Sequence, residues 1–310
     1  MKSPMAIPLL YCPFEPEVHP GASSVHENSI RWARSLGLLR TEQRAKTAEK
    51  ARTGWLVARA FPTAIPQGLQ WAADWLVLFC ALDDYIEMQR RATSVAADLQ
   101  DLLDLFRGGI ERPRNGPFAS AMLDLRQRLL ALAPPSHVAR FVDQLQELFE
   151  GFATEAQNRE RDRIPDVASY LRLREVTVGL KVMFALAELL DGFNLSNDTR
   201  THPALRQLAT RTSNIVGWAN DLFTYEKEIR QGEIHNLVMV LMNERRLTIS
   251  EAVEQAVMLH DNEVRSFLED VERLPSFDLT DADVRSYVKM LKCWIRGHLD
   301  WARETGRYPA

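Results

Sequence analysis

Long apolar stretches with a helical spacing recur along this chain, and they constrain its fold more than any other feature. In Leu69–Arg91 apolar side chains return every three or four positions, which places them on one face of a helix. The same pattern is found in Val138–Ala156, Val167–Leu190, Ala204–Arg230, Ile249–Leu274 and Ala282–Arg303. No stretch alternates apolar and polar residues around a hairpin turn, as paired strands would. The sequence therefore predicts an all-α fold, with residues 1–310 forming a single helical domain.

Two local signals mark the starts of these helices. Pro203 stands in a predicted first turn, where its fixed φ is favourable and its missing N–H costs nothing. Thr248 is followed three positions later by Glu251, which predicts a capping box in which each side chain bonds the other's backbone N–H.

Charge and cysteine content exclude several classes of protein. The formal net charge is −4, so we expect no attraction to nucleic acid or to an anionic membrane. Cys12, Cys80 and Cys293 are far apart and odd in number, which argues against a disulfide framework and fits a reducing compartment. Met1–Pro13 lacks the basic start and unbroken apolar core of a signal peptide, and no apolar run reaches roughly 18 residues. A cytoplasmic protein is expected.

The first candidate site is an acidic cluster, Asp83, Asp84 and Glu87, which directly follows a wholly apolar stretch. Asp83 and Glu87 are four positions apart, so both lie on one helix face with Asp84 beside them. Buried carboxylates need partners, and a hard divalent cation prefers oxygen ligands of this kind. A helix end that reaches solvent would explain the cluster equally well.

The second candidate site is formed by Asn220, Thr224 and Glu228, each four positions after the one before. One helix face would then offer an amide oxygen, a hydroxyl and a carboxylate, which are three oxygen ligands without an excess of charge. The alternative is a solvated helix end with an ion pair between Glu226 and a neighbouring cation.

Together the two clusters resemble the metal motifs of bacterial-type class I terpene synthases. Residues 83–87 resemble the aspartate-rich motif of that family, with Glu87 in the last place. Residues 220–228 resemble its second motif, with Thr224 where serine is commoner. The resemblance implies a single α-helical bundle with a deep apolar central cavity. It also implies Mg²⁺ as cofactor, three ions in the family, held by both motifs around a prenyl diphosphate.

The resemblance extends to residues that would bind and sense the diphosphate. Arg174 lies in a segment similar to the one that carries the family's diphosphate-sensing arginine. Lys227 belongs to the second motif, and Arg307-Tyr308 resembles the C-terminal pair that closes over the diphosphate. Arginine suits this task because its planar fork matches phosphate oxygens.

A helix break at residues 177–179 is also implied by the resemblance. In the family, a backbone carbonyl at the break lies near the departing bond and is linked to the sensing arginine by a side chain. Thr177 would be that linker, where aspartate is frequent in relatives. Val178 would supply the carbonyl, and Gly179 would permit the break.

A carbocation needs a dry cavity with aromatic faces, because aromatic rings attract cations and water would quench them. We expect Phe79, Cys80, Phe184 and Trp301 in the cavity wall. Four other tryptophans are interpreted as core: Trp71, Trp75, Trp218 and Trp294.

The predicted function is Mg²⁺-dependent cyclisation of farnesyl diphosphate to a sesquiterpene. Geranyl or geranylgeranyl diphosphate as substrate remains the alternative, because pocket depth is not visible in a sequence. A prenyl chain-elongating synthase would need a second aspartate-rich motif, and a helical scaffold would need neither cluster. A homodimer is possible by the same resemblance.

Overall fold

Helices joined by short turns make up the protein, and no strand occurs among the residues described, which are 9–109, 116–277 and 281–308 of a computed structural model. The helices are α1 (Ala22–Ser35), α2 (Glu42–Ala51), α3 (Thr53–Ala60), α4 (Pro66–Glu87), α5 (Ala92–Arg107), α6 (Gly116–Leu132), α7 (Pro135–Glu160), α8 (Val167–Thr177), α9 (Leu180–Phe184), α10 (Ala187–Asp191), α11 (Asn197–Thr201), α12 (Pro203–Gln231), α13 (Leu237–Arg245), α14 (Ile249–Glu272) and α15 (Asp281–Glu304). The predicted all-α fold is confirmed.

The ends of the two helices that carry the acidic clusters are defined by local chemistry. α4 and α12 each begin with a proline at the first helical position, as predicted for Pro203. α12 ends at Gly232, whose φ of 75° is the left-handed conformation that glycine adopts most readily. The predicted capping box between Thr248 and Glu251 is present at the start of α14.

The continuous helix that periodicity predicts over Val167–Leu190 is wrong, whereas the break that the resemblance implies at residues 177–179 is present. Val167–Leu190 is divided into α8, α9 and α10, and the first interruption falls at Gly179, where φ is 77°. A Cβ atom there would lie 2.7 Å from a ring carbon of Phe79, so both the backbone angle and the space require glycine. The apolar spacing continues across the interruption, which is why periodicity alone suggests one helix.

Packing of the helices leaves a cavity between α4 and α12. α12 packs against α8, α13, α14 and α15, while α4 packs against α1, α3 and α6. Buried aromatic residues fix α4 in place: Trp71 meets Phe141 edge to face at 5.3 Å between centroids and donates a hydrogen bond to the Leu125 carbonyl at 2.8 Å. The two helices that carry the acidic clusters are therefore held on separate sides of one space.

No described helix has the length and apolarity needed to cross a membrane. Of the segment Met1–Pro13, residues 1–8 lie outside the described residues.

Candidate active site

A cavity with about 730 Å³ of open space, its mouth included, lies between α4, α8, α12 and α15. Its polar mouth and apolar interior are lined by Leu56, Trp75, Leu76, Phe79, Cys80, Asp83, Arg174, Thr177, Val178, Gly179, Leu180, Met183, Val216, Asn220, Trp294, His298, Trp301, Arg307 and Tyr308. Asp83 from the first cluster and Asn220 from the second thus share one cavity.

Arg307 forms the ion pairs of the first cluster, at the end of α4, within the described part of the chain. Both terminal guanidinium nitrogens of Arg307 donate to the Asp84 carboxylate, at 2.9 and 3.3 Å. One of them, Nη2, also lies 3.5 Å from Oδ2 of Asp83. Burial and the neighbouring Asp84 raise the pKa of Asp83, an effect that Arg307 partly offsets. Burial, followed by the charge of Asp83, raises the pKa of Glu87 as well. Burial and the neighbouring carboxylates thus disfavour the charged forms of Asp83 and Glu87.

The second cluster is tied into the surrounding helices much more closely. Asn220 accepts a hydrogen bond from Arg174 at 2.7 Å and donates one to the Tyr308 hydroxyl at 2.6 Å. Arg174 also donates from Nε to Asp221 at 3.0 Å. Burial lowers the pKa of Arg174, but the charge of Asp221 outweighs this and raises it. The guanidinium is therefore fixed in its charged form at the cavity mouth.

Asp221 is the buried centre of this arrangement, with 1 % of its surface exposed. Besides Arg174, its carboxylate accepts hydrogen bonds from the Tyr170 hydroxyl and from the backbone N–H of Leu237. Such a carboxylate is fully paired and has a structural task, whereas Asn220 beside it faces the cavity. The spacing in the sequence predicted Asn220 as a site residue but did not predict that Asp221 beside it would hold Arg174 in place.

Thr224 and Glu228 continue the face of α12 that begins with Asn220. The Thr224 hydroxyl donates to the Asn220 carbonyl at 2.9 Å, which leaves its oxygen lone pairs free. One oxygen of Glu228 accepts from Asn236 at 2.8 Å, and Asn236 also donates to the Asp221 carbonyl. Burial, then the charge of Asp221, raises the pKa of Glu228 to about 7.

Comparison with known proteins agrees with this geometry. Residues 74–266 match the family model described as terpene synthase family 2, C-terminal metal binding. The chain belongs to the terpene synthase family. The matched region contains both acidic clusters and Arg174, but it ends before Arg307 and Tyr308.

Relatives of this terpene synthase are similar over nearly its whole length. A germacrene A synthase from Nostoc punctiforme is 30% identical over 97% of this chain and 94% of its own length. A (+)-T-muurolol synthase from Roseiflexus castenholzii is 32% identical over 96% of this chain and 93% of its own. The solved structure of a linalool/nerolidol synthase from Streptomyces clavuligerus matches with a TM-score of 0.85 and 26% identity, covering 95% of this chain and all of the other.

The donor atoms of the terpene synthase site fit a hard divalent cation. Asp83, Asp84, Glu87 and the face of α12 offer carboxylate, amide and hydroxyl oxygens, and burial, followed by a neighbouring carboxylate, raises the pKa of both Glu87 and Glu228. Within the described ranges, no three acidic, histidine or cysteine side chains alone gather closely enough to hold a metal.

The C-terminal residues of the terpene synthase lie over the mouth because a tight anchor positions them. The Gly306 N–H donates to the Lys50 carbonyl at 2.8 Å, and the Thr305 hydroxyl donates to the Ala51 carbonyl at 2.8 Å. Tyr308 then packs edge to face on Trp301 at 5.4 Å between ring centroids. Arg307 and Tyr308 thereby reach the first and second clusters respectively.

Some predicted residues lie in a neighbouring cavity at the same mouth. Asp84, Glu87 and Lys227 line this second cavity, which shares Cys80 and Arg307 with the first. Thr224 and Glu228 line neither cavity and lie along α12 behind Asn220. The site therefore spans two adjoining spaces, with Arg307 between them.

The structure contradicts the predicted link between Thr177 and Arg174. The Thr177 hydroxyl is buried without a hydrogen-bond partner among the described residues. A Cβ atom on Gly151 would lie 2.8 Å from the Thr177 methyl, so this methyl packs closely against α7. The Arg174 guanidinium already donates hydrogen bonds to Asn220 and Asp221. The threonine side chain is uncharged, so it does not attract the guanidinium as an aspartate would.

The predicted place of Phe184 in the cavity wall is also wrong. Phe184 lines a separate pocket between α7, α9 and α11 and touches the wall residue Trp294 edge to face at 6.5 Å between centroids. The helix restarts after Gly179, so counting turns across the break gives the wrong face, and Met183 points into the cavity instead. Phe79, Cys80 and Trp301 do line the cavity.

Two tryptophans interpreted as core, Trp75 and Trp294, line the cavity as well. Both have the helical spacing that could have identified them. Trp75 lies four positions before Phe79, and Trp294 lies seven before Trp301, so each shares a face with a predicted wall residue.

Proposed function

We propose that this terpene synthase binds farnesyl diphosphate together with Mg²⁺, releases the diphosphate and cyclises the remaining cation to a sesquiterpene. One observation carries the proposal: Asp83 and Asn220, far apart in sequence, line the mouth of one cavity whose interior is aromatic and apolar. An anionic head group and an apolar tail would thus each meet a suitable surface. The names of the curated relatives, which include two farnesyl diphosphate cyclising enzymes, support this substrate.

The residues at the mouth would bind and orient the diphosphate. Arg174, Arg307 and the Tyr308 hydroxyl line the cavity entrance, and Lys227 lies at the adjoining one. Charge-assisted hydrogen bonds from these donors would fix the head group and stabilise the negative charge it gains as the carbon–oxygen bond breaks. Mg²⁺, when bound through Asp83, Asp84, Glu87, Asn220, Thr224 and Glu228, would add Lewis-acid stabilisation of the same oxygens.

Arg307 would have to exchange partners for this to occur. Its guanidinium is bonded to Asp84 and lies near Asp83, where a diphosphate and a cation would be bound. Because Gly306 is held by the Lys50 carbonyl, the side chain can turn while the backbone stays anchored. Arg307 would thereby cover the bound head group and exclude bulk water from the mouth.

The break at Gly179 would place the Val178 carbonyl beside the departing bond. Val178 and Arg174 both lie close to Gly217 of α12, and both line the cavity. Trp75, Phe79 and Trp301 offer ring faces farther in, which would stabilise positive charge along the folded chain. These three aromatic side chains do not add to a cation, so ring closure would proceed beside them before the cation is quenched.

The proposal is tested by incubation with geranyl, farnesyl and geranylgeranyl diphosphates in the presence of Mg²⁺. We expect diphosphate release and cyclic fifteen-carbon products from farnesyl diphosphate, measured by phosphate assay and gas chromatography. Faster turnover of geranyl or geranylgeranyl diphosphate would identify that compound as the substrate instead of farnesyl diphosphate. Longer allylic diphosphates would indicate chain elongation, and no consumption of any substrate would refute the enzyme assignment.

A further inference from the structure

Three polar side chains in the cavity wall have a buried atom without a hydrogen-bond partner in the described part of the chain. These atoms are Oγ1 of Thr177, Nε1 of Trp294 and Nδ1 of His298. The residues are 3%, 1% and 4% exposed, and all three line the cavity. Leaving a buried donor or acceptor unsatisfied is costly, so a group that satisfies several of them would bind favourably.

The chemistry of these atoms identifies the class of ligand. An indole N–H can only donate, and neither a hydrocarbon chain nor a carbocation offers it an acceptor. A ligand that pairs with this N–H must therefore contain an oxygen atom or a similar acceptor. His298 carries a lone pair, because burial, followed by the charges of Arg174 and His260, lowers its pKa to about 3 and keeps the ring neutral. Water accepts from an N–H and donates to an imidazole nitrogen, so it satisfies both.

The positions of the two ring systems also suit one small ligand. Trp294 and His298 are four positions apart on α15, so their side chains are neighbours on one helix face. Trp301 on the same helix provides a contrast, because its Nε1 donates to the Ala51 carbonyl at 2.7 Å and needs nothing further. Thr177 approaches the cavity from α8 with a hydroxyl that can donate or accept.

We infer that Trp294 and His298 hold one water molecule inside the cavity, and that this water ends the reaction by adding to the final carbocation. The product would be a sesquiterpene alcohol. The water oxygen supplies the electron pair of the new carbon–oxygen bond, and one of its protons passes to the free nitrogen of His298. The imidazolium then returns this proton to the diphosphate anion or to solvent when the site opens. This inference rests on the proposed function.

The first experiment uses the unmodified protein with farnesyl diphosphate and Mg²⁺ in water enriched in ¹⁸O. We expect an alcohol as main product, with the label in its hydroxyl group by mass spectrometry. Diphosphate release with hydrocarbons as the only products would overturn the inference and leave the proposed function standing. Absence of diphosphate release would refute the proposed function itself, and the inference with it.

Substitutions then test which residues hold the water. We expect His298→Phe and Trp294→Phe each to lower the alcohol-to-hydrocarbon ratio at least fivefold while diphosphate release continues. Trp218→Phe is the matched control, because the Trp218 Nε1 is also buried without a partner in the described structure but lies outside the cavity. It should leave the ratio unchanged.

An unchanged ratio in both cavity variants, or an equal fall in the control, would contradict the assignment. If circular dichroism shows that His298→Phe does not fold, the smaller His298→Leu applies the same criterion.

Discussion

The two acidic clusters differ in how firmly the protein holds them before any ligand binds. Asp84 is half exposed and is paired with Arg307, whereas Asp221, next to Asn220 on α12, is buried and bonded by Arg174, Tyr170 and the Leu237 backbone. The α12 cluster is therefore preorganised, and the α4 cluster is completed by a movable side chain. Preorganised groups bind without reorganisation, while the movable partner allows a ligand to enter.

The largest effects should come from the residues by which each cluster reaches the shared cavity. We expect Asp83→Ala and Asn220→Ala each to reduce kcat by at least about 10²–10³-fold, because each removes a group that stabilises the departing charge. Circular dichroism should show an intact helical fold in both. The exposed residue Glu254 on α14 provides a control, and Glu254→Ala should keep normal turnover. Normal turnover in Asp83→Ala would remove the first cluster from the site.

A stability measurement would sharpen the contrast between the clusters. Arg174→Ala leaves the buried Asp221 without its ion partner and should lower the free energy of unfolding by about 3–5 kcal/mol. Arg307→Ala removes an ion pair with Asp84, whose side chain is about half exposed, and should cost less, about 1 kcal/mol. Urea unfolding of the metal-free proteins measures both. Equal losses in the two variants would mean that the α12 cluster is no more preorganised than the other.

The pH dependence of stability should reveal the unpaired carboxylates. The pKa of Glu228 is about 7 in the folded protein and 4.5 when unperturbed, so the folded state binds more protons between these values. Stability of the metal-free protein should therefore fall as pH rises from about 4.5 to 7. The raised pKa values of Asp83 and Glu87 act in the same direction. Melting temperatures with chelator across this range test the expectation, and Glu228→Gln should flatten the curve.

The same titration predicts that Mg²⁺ stabilises the protein more at pH 8 than at pH 5, because the cation competes with protons for the carboxylates. Melting curves with and without Mg²⁺ at the two pH values measure this difference. A larger Mg²⁺ effect at pH 5 would contradict the ligand assignment.

A smaller effect is expected at the junction between α8 and α9. Gly179→Ala places a side chain at a φ of 77° and close to Phe79, which should lower stability by about 1–2 kcal/mol for the backbone alone. Gly192 is a matched control, because its φ is 72° with no neighbour within 4 Å of an added Cβ. A larger loss for Gly179→Ala than for Gly192→Ala would measure the contact with Phe79.

The smallest effect should be seen at Phe184. Because Phe184 lies outside the cavity, we expect Phe184→Leu to leave the product mixture unchanged, whereas Met183→Leu should alter it. Gas chromatography of both product mixtures decides this. A changed mixture from the Phe184 variant would show that the pocket behind α9 influences the cavity.

Most of the fold and the mouth of the site could be predicted from residue spacing. A repeat of three or four positions determines which face of α4 or α12 a residue occupies, so Asp83 and Asn220 could be placed together with the help of family resemblance. The wall behind the break could not be predicted, because the angle at Gly179 resets the helical phase and moves Phe184 outward. The position of the Thr177 side chain depends on how closely α7 packs against α8 at Gly151. Residue spacing along one helix does not report the packing between two helices.

The break at Gly179 also separates two tasks that a continuous helix would have joined. Arg174, on one side, is fixed by α12 at the cavity mouth, where we propose that the head group binds, while Leu180 and Met183, on the other, line the interior. An engineer could therefore remodel the interior through α9 to redirect ring formation without disturbing the trigger that starts it. Natural variation could diversify products by the same route, altering five residues of one short helix while the ionisation machinery stays constant.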